Sequence, residues 1–126
     1  MKTKLVFSEI GTLSFENSIL SIRFADGLEL NEESFRFIFE QGEKLAQGKR
    51  YCIFADVRPH VVSTPEGRKY AAKNSFSEQH LAYGVIAQST PVILLVNFFI
   101  NINRPEVPTK LFKKEEDAMN WLGTFL

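Results

Sequence analysis

The chain is short of the residue types from which many small sites are built. It has one cysteine, Cys52, in 126 residues, which rules out an internal disulfide and any multi-cysteine zinc site. Neither charge is in excess: 15 basic residues meet 15 acidic ones. Nothing therefore builds the positive field that nucleic-acid binding draws from phosphate neutralisation. No apolar run approaches the roughly 20 residues of a membrane-spanning helix. The opening stretch, "MKTKLVFSEIG", has too short an apolar segment for a signal peptide. Glycine-rich phosphate loops, GxSxG elbows, HExxH and paired-cysteine motifs are all missing. The expectation is a soluble, cytoplasmic protein with no nucleic-acid partner.

What is present is a globular mixture. Apolar residues make up 44% and charged residues 24%, typical of a folded chain. A chain of this length is expected to form one domain over residues 1–126 and to bury roughly two-thirds of its unfolded surface. Phenylalanine occurs 12 times against a single tryptophan, so the core is expected to rest on phenyl rings.

The segment "KLVFSEIGTLSFENSILSIRF" reads as short strands with tight turns, broken at Gly11 and at Glu16-Asn17. In its last strand Leu20, Ile22 and Phe24 share one face and Ile19, Ser21 and Arg23 the other, the pattern of a half-buried strand. A helix follows. Asn31 is its N-cap, Glu32 and Glu33 complement the helix dipole, and Gly48 ends it. Phe35, Ile38, Phe39, Leu45 and Ala46 keep helical spacing, with Gly42 on their stripe allowing close packing and Phe37 on the far side. "RYCIFADV" is apolar on both alternating faces, as in a central strand covered on both sides. At "TPEGRKYAAKN" Thr64 caps a second helix, Pro65 takes its first position and Glu66 its first turn. "LAYGVIAQ" and "TKLFK" are strand candidates. "KEEDAMNWLGTFL" is a helix with Ala118, Trp121 and Leu122 on one stripe. Strand and helix alternate after Asn31, which argues for α/β layers.

The stretch "STPVILLVNFFININRP" is the main ambiguity. Nine of the twelve residues after Pro91 are large and apolar, and propensity leans to a strand. A central strand would bury Asn97 and Asn101, at about 1–3 kcal/mol for each if unpaired. A helix started by Thr90-Pro91 puts both asparagines on one side. Val92, Leu95, Phe99 and Ile102 then face the sheet. From the pattern alone the two readings stand level. In the helical one Ile93, Leu94, Phe98 and Ile100 cannot all reach the same sheet, and a contiguous patch of that kind marks a contact site, unless loops or the last helix cover it.

Catalytic constellations are weak. Cys52, Asp56 and His60 offer a nucleophile, an orienter and a base. But Cys52 and Asp56 on one strand lie about 13 Å apart at roughly 3.3 Å per residue, while a base must sit within about 3 Å of what it serves. Cysteine on a central strand is ordinarily a small hydrophobe. Asp56 stands at the carboxyl end of a strand, where open α/β sheets place sites; its simpler role is to cap a loop amide or pair with Arg58. His60 and His80 alone do not make a metal site, and neither a metal nor a cofactor is expected.

Taken together, "IFADVR", "STPEG", "YGVIAQSTPVILLVNFFININRP" and "PTKLFKKEEDAMNWL" resemble the bacterial SpoIIAA-like proteins of the wider STAS group, which are compared with the CRAL-TRIO lipid-transfer fold. The resemblance covers roughly residues 18 to 126. It implies a mixed β-sheet of about 5–6 strands flanked by about 4 helices, and it implies that the segment after Ser89 is helical. It also implies an association of that helix with apolar ligands or membrane surfaces. STAS anti-sigma-factor antagonists carry a phosphorylatable serine before a glycine at one helix start; matching that glycine to Gly67 puts Glu66 at the serine position, so the switch looks absent here.

These observations set the functional expectation. The leading reading is a non-enzymatic STAS-like module contacting an apolar ligand, a membrane surface or a protein partner through Ile93, Leu94, Phe98 and Ile100. In the membrane version it sits peripherally at the membrane. The alternative is a regulatory protein–protein module using the loop and helix start at Asp56, Arg58, Ser63, Thr64 and Glu66. The sequence also allows homodimerisation through the apolar helix or the N-terminal strands.

Overall fold

The computed structural model describes residues 3–126. Alternating apolar side chains and tight turns make the first three strands an antiparallel meander of β1 (Lys4–Ser8), β2 (Gly11–Glu16) and β3 (Ile19–Phe24). The first turn lies at Glu9-Ile10, so Gly11 opens β2 rather than breaking the pair. The second turn is Asn17-Ser18, both at positive φ (53° and 61°), the left-handed geometry that a two-residue hairpin turn requires. As expected, Leu20, Ile22 and Phe24 are buried.

A two-residue strand, β4 (Glu29–Leu30), leads into α1 (Glu32–Ala46). Asn31 and Ser34 form a reciprocal capping box there, and the chain leaves the helix through left-handed Gln47 before Gly48. Gly42 was expected to allow close packing, and a Cβ on it would lie 2.6 Å from the Tyr51 hydroxyl. The central strand β5 (Tyr51–Asp56) runs parallel to β3. The very short β6 (Val62–Ser63) pairs with β4 in a separate two-stranded sheet that the sequence pattern did not announce. Helix α2 (Pro65–Ala72) starts as expected, with the Thr64 hydroxyl accepting from the Gly67 amide at 2.9 Å. Strand β7 (His80–Ile86), helix α3 (Thr90–Phe98), strand β8 (Thr109–Phe112) and helix α4 (Glu115–Gly123) complete the order.

The main sheet has six strands in the order β1-β2-β3-β5-β7-β8, antiparallel at the first two pairings and parallel thereafter. The mixed α/β architecture with four helices is the one expected. One face carries α1, α2 and α3 over a core that includes Leu13, Leu20, Ile38, Phe39 and Ile53. The other carries α4, whose Ala118 and Leu122 pack on Cys52, Phe54, Ala82 and Ile86. Helix α4 rests on β5, β7 and β8, while Leu5 and Phe7 on β1 stay exposed.

The ambiguous segment coils, but not as a uniform α-helix. Helix α3 gives way at Phe99–Asn103 to a π-turn, with the Arg104 amide donating to the Phe99 carbonyl at 3.1 Å. Ser89, not Thr90, occupies the cap position, without a side-chain hydrogen bond. The wider i→i+5 turn swings Ile102 out of the stripe it would share with Leu95 and Phe99 in an α-helix, so Ile102 is 62% exposed instead of meeting the sheet.

Candidate functional site

Residues from three helices and five strands line a half-open apolar cavity of about 100 Å³. Its floor is Phe24 of β3, Ala55 of β5 and Val85 of β7, and its roof is Val92, Leu95, Val96 and Phe99 from α3 and the π-turn. A second cavity of about 80 Å³ adjoins it and shares Phe24, Phe35, Ala55, Val85 and Phe99. Apolar space of this order admits small hydrophobic molecules; a cavity of about 150 Å³ lined by aliphatic and phenyl side chains takes benzene.

The polar members of the first cavity's lining are Ser63 and Arg68. Arg68 is only 8% exposed. Its Nη1 donates to the Ser63 carbonyl at 2.5 Å and to the Ser63 hydroxyl at 3.1 Å, while its buried Nε has no hydrogen-bond partner. The Phe98 ring lies over the guanidinium, 5.3 Å from centroid to Cζ. Arg68 was not among the expected site residues. The signal was available: Arg68 stands three and four residues before Ala71 and Ala72, which puts a cation on the inward stripe of a helix.

The four residues expected to form a surplus apolar patch divide. Leu94 is 64% and Phe98 44% exposed, but Ile93 packs against the core and Ile100 is half-buried. The outward set is therefore Leu94, Phe98 and Ile102. Ile93 turns inward because it lies one residue from buried Val92 at the start of the helix, where the chain has just left the sheet.

The second expected group also divides, between the two faces of the sheet. Ser63 lines the cavity, Thr64 caps α2, and Glu66 is exposed on its first turn. Asp56 instead alternates onto the α4 face with Cys52 and Phe54. There it accepts a bidentate pair from Arg58, Nε to Oδ1 at 2.9 Å and Nη2 to Oδ2 at 2.7 Å, together with the Arg58 amide at 3.1 Å. Arg23 approaches Asp56 at 3.5 Å and makes its own bidentate pair with Glu115 at 3.0 and 2.9 Å. Burial raises the Asp56 carboxyl, but the Arg58 side-chain and amide hydrogen bonds and the charges of Arg58 and Arg23 outweigh it, and the net shift is downward. Glu115 is lowered chiefly by its bond to Arg23. Asp56 thus caps a loop amide and pairs with Arg58, the simpler of its expected roles.

The thiol, aspartate and histidine do not form a hydrogen-bonded set. Cys52 is fully buried, its thiol donates to the Leu122 carbonyl at 3.6 Å, and burial pushes it up to about 11. His60 is exposed at positive φ in the loop after β5. His80 is buried at the start of β7, with Nε2 3.0 Å from the Tyr51 hydroxyl and Nδ1 bonded to that of Tyr83. Among the described residues no cluster of three or more His, Cys, Asp or Glu is arranged to hold a metal ion, and no helix is long and apolar enough to cross a membrane.

A six-stranded mixed sheet with three helices on one face and one on the other is a SpoIIAA-like fold. An uncharacterized protein from Shewanella loihica PV-4, of the DUF3478 family and described as having a SpoIIAA-like fold, superposes with a TM-score of 0.52 at 13% identity, over 96% of this chain and 92% of that one. The chain belongs to the family described as a domain of unknown function, DUF7793, whose model matches residues 13–126. A protein of unknown function from Arthrobacter sp. FB24 aligns at 23% identity over 94% of this chain and 97% of that one, with a TM-score of 0.34. No curated protein matches the chain.

Proposed function

We propose that the protein is a non-enzymatic binding module that takes an apolar ligand between its sheet and α3. The observation behind this reading is the pair of adjoining apolar cavities, the first roofed by Val92, Leu95, Val96 and Phe99 and the second sharing Phe99 with it. A ligand there would bury apolar surface at about 25 cal/mol per Å² without disturbing the Asp56 network on the other face. Such a module would act in the cytoplasm, free or against a membrane surface. The test is calorimetric titration with toluene, a neutral single-ring probe, comparing wild type with Val96→Phe, which fills the cavity from its roof. Saturable binding in the wild type, weakened at least about tenfold in the variant, is expected. Equal binding by both removes the cavity from the reading.

A second reading, a regulatory module docking a protein or a membrane surface, draws on the outward Leu94, Phe98 and Ile102. Contiguous exposed apolar groups of this kind are typical of contact surfaces. It predicts that Leu94→Asp abolishes liposome flotation or partner capture while leaving toluene binding intact.

A further inference from the structure

We propose that the ligand of this cavity is a small amphipathic acid whose carboxylate is bound by Arg68; this rests on the apolar-ligand reading and deepens it. Two observations converge. The cavity is apolar on nearly every side, which defines the body of the ligand. At its edge stands a cation more than nine-tenths buried, which defines the head.

Arg68 has little to compensate its charge within the protein. Its hydrogen-bond partners are the neutral carbonyl and hydroxyl of Ser63, and its Nε is buried without any. Among the described residues it takes part in no ion pair, while Arg36 has one and Arg23 and Arg58 two each. The Phe98 face supplies some cation–π attraction. A guanidinium withdrawn from water without a counter-ion is costly, and its planar fork matches a carboxylate in two parallel hydrogen bonds. Nothing in the first cavity's lining repels an anion, since it contains no Asp or Glu.

Size narrows the class. Adjoining cavities of about 100 and 80 Å³ suit a medium-length acyl chain or a single ring better than the two chains of a phospholipid. The same head-group charge could still come from an anionic lipid surface, so the test separates the two sources.

The full chain is titrated with octanoate, with 1-octanol and with phosphatidylglycerol vesicles, by calorimetry and by following the Arg68 Nε–H resonance. Wild type, Arg68→Met and Arg68→Lys are compared, with circular dichroism to check that each is folded. Wild type is expected to bind octanoate at least about tenfold more tightly than octanol, and only octanoate should shift the Nε–H signal. Arg68→Met should bind the two equally, and Arg68→Lys should keep part of the preference. Equal binding of octanoate and octanol by wild type overturns the carboxylate assignment and leaves the apolar site standing. Binding to neither removes the site itself. Binding to vesicles but not to octanoate overturns the small-acid assignment in favour of a lipid surface.

Discussion

His80 and Tyr83, three residues apart on one strand, face the same layer and hydrogen-bond to each other. A regular strand would send them to opposite faces. A register shift in the β5–β7 pairing, between Tyr51↔His80 and Ile53↔Tyr83, carries Leu81 and Ala82 together to the α4 face and returns Tyr83 to the side of His80. Tyr51 closes the arrangement on Nε2 and Asn74 donates to the Tyr83 hydroxyl at 3.2 Å. Burial raises both phenols.

Burial alone lowers His80 from its ordinary 6.5 to about 4. Between these values the unfolded chain binds the proton and the native one does not, so stability rises with pH there. The stabilisation is complete above about pH 6.5 and is lost as pH falls toward 4, by roughly 3 kcal/mol over the window. Urea unfolding from pH 4 to 8 should show this slope. His80→Asn should be less stable at neutral pH and should flatten the curve in that interval.

Asp56 and Glu115, both lowered by their arginine partners, act in a different window. Their contribution is present above the ordinary carboxylate range and disappears as pH drops through their depressed native values. Asp56→Ala is expected to cost about 1–3 kcal/mol, because it leaves a loop amide and the Arg58 fork without an acceptor in a mostly buried place. Glu115→Ala should cost less than about 1 kcal/mol, since its pair with Arg23 is exposed. Chemical denaturation at pH 7 compares the two directly.

Gly42→Ala should destabilise the protein by about 1–3 kcal/mol through overpacking. The new methyl would lie 2.6 Å from the Tyr51 hydroxyl and 3.0 Å from Leu20 Cδ2. The hydroxyl cannot give way without releasing His80. In a double-mutant cycle, Tyr51→Phe should relieve part of the Gly42→Ala cost, and strict additivity would show that the hydroxyl is not the obstacle.

Cys52 should resist iodoacetamide in the native state. Its thiol is buried and raised to about 11, and the thiolate is the reactive form. Modification followed by mass spectrometry should proceed only under unfolding conditions; rapid labelling of native protein at pH 8 would contradict the buried placement.

Much of this was legible in the residues. Alternation marked β3, two-sided apolarity marked β5, and Thr64-Pro65 fixed the start of α2, because each rests on interactions within a few residues. The ribbon of β4 and β6 was not legible. Two residues carry no periodicity, and their pairing depends on long-range closure. The π-turn was missed for a related reason: the sequence counts positions but does not show how widely a turn is wound, and so Ile102 was placed inward. Arg68 was signalled only by its place on the inward stripe of α2, a single charge with no periodicity of its own.

The wide turn at Phe99–Asn103 amounts to a helix accommodating one residue too many for its thread. Were the backbone wound there as a regular α-helix, with no position removed, Ile102 would return to the stripe of Leu95 and Phe99. Part of the outward oiliness of this segment is therefore owed to a backbone irregularity, and a relative whose helix winds regularly through it would present a different surface with almost the same composition.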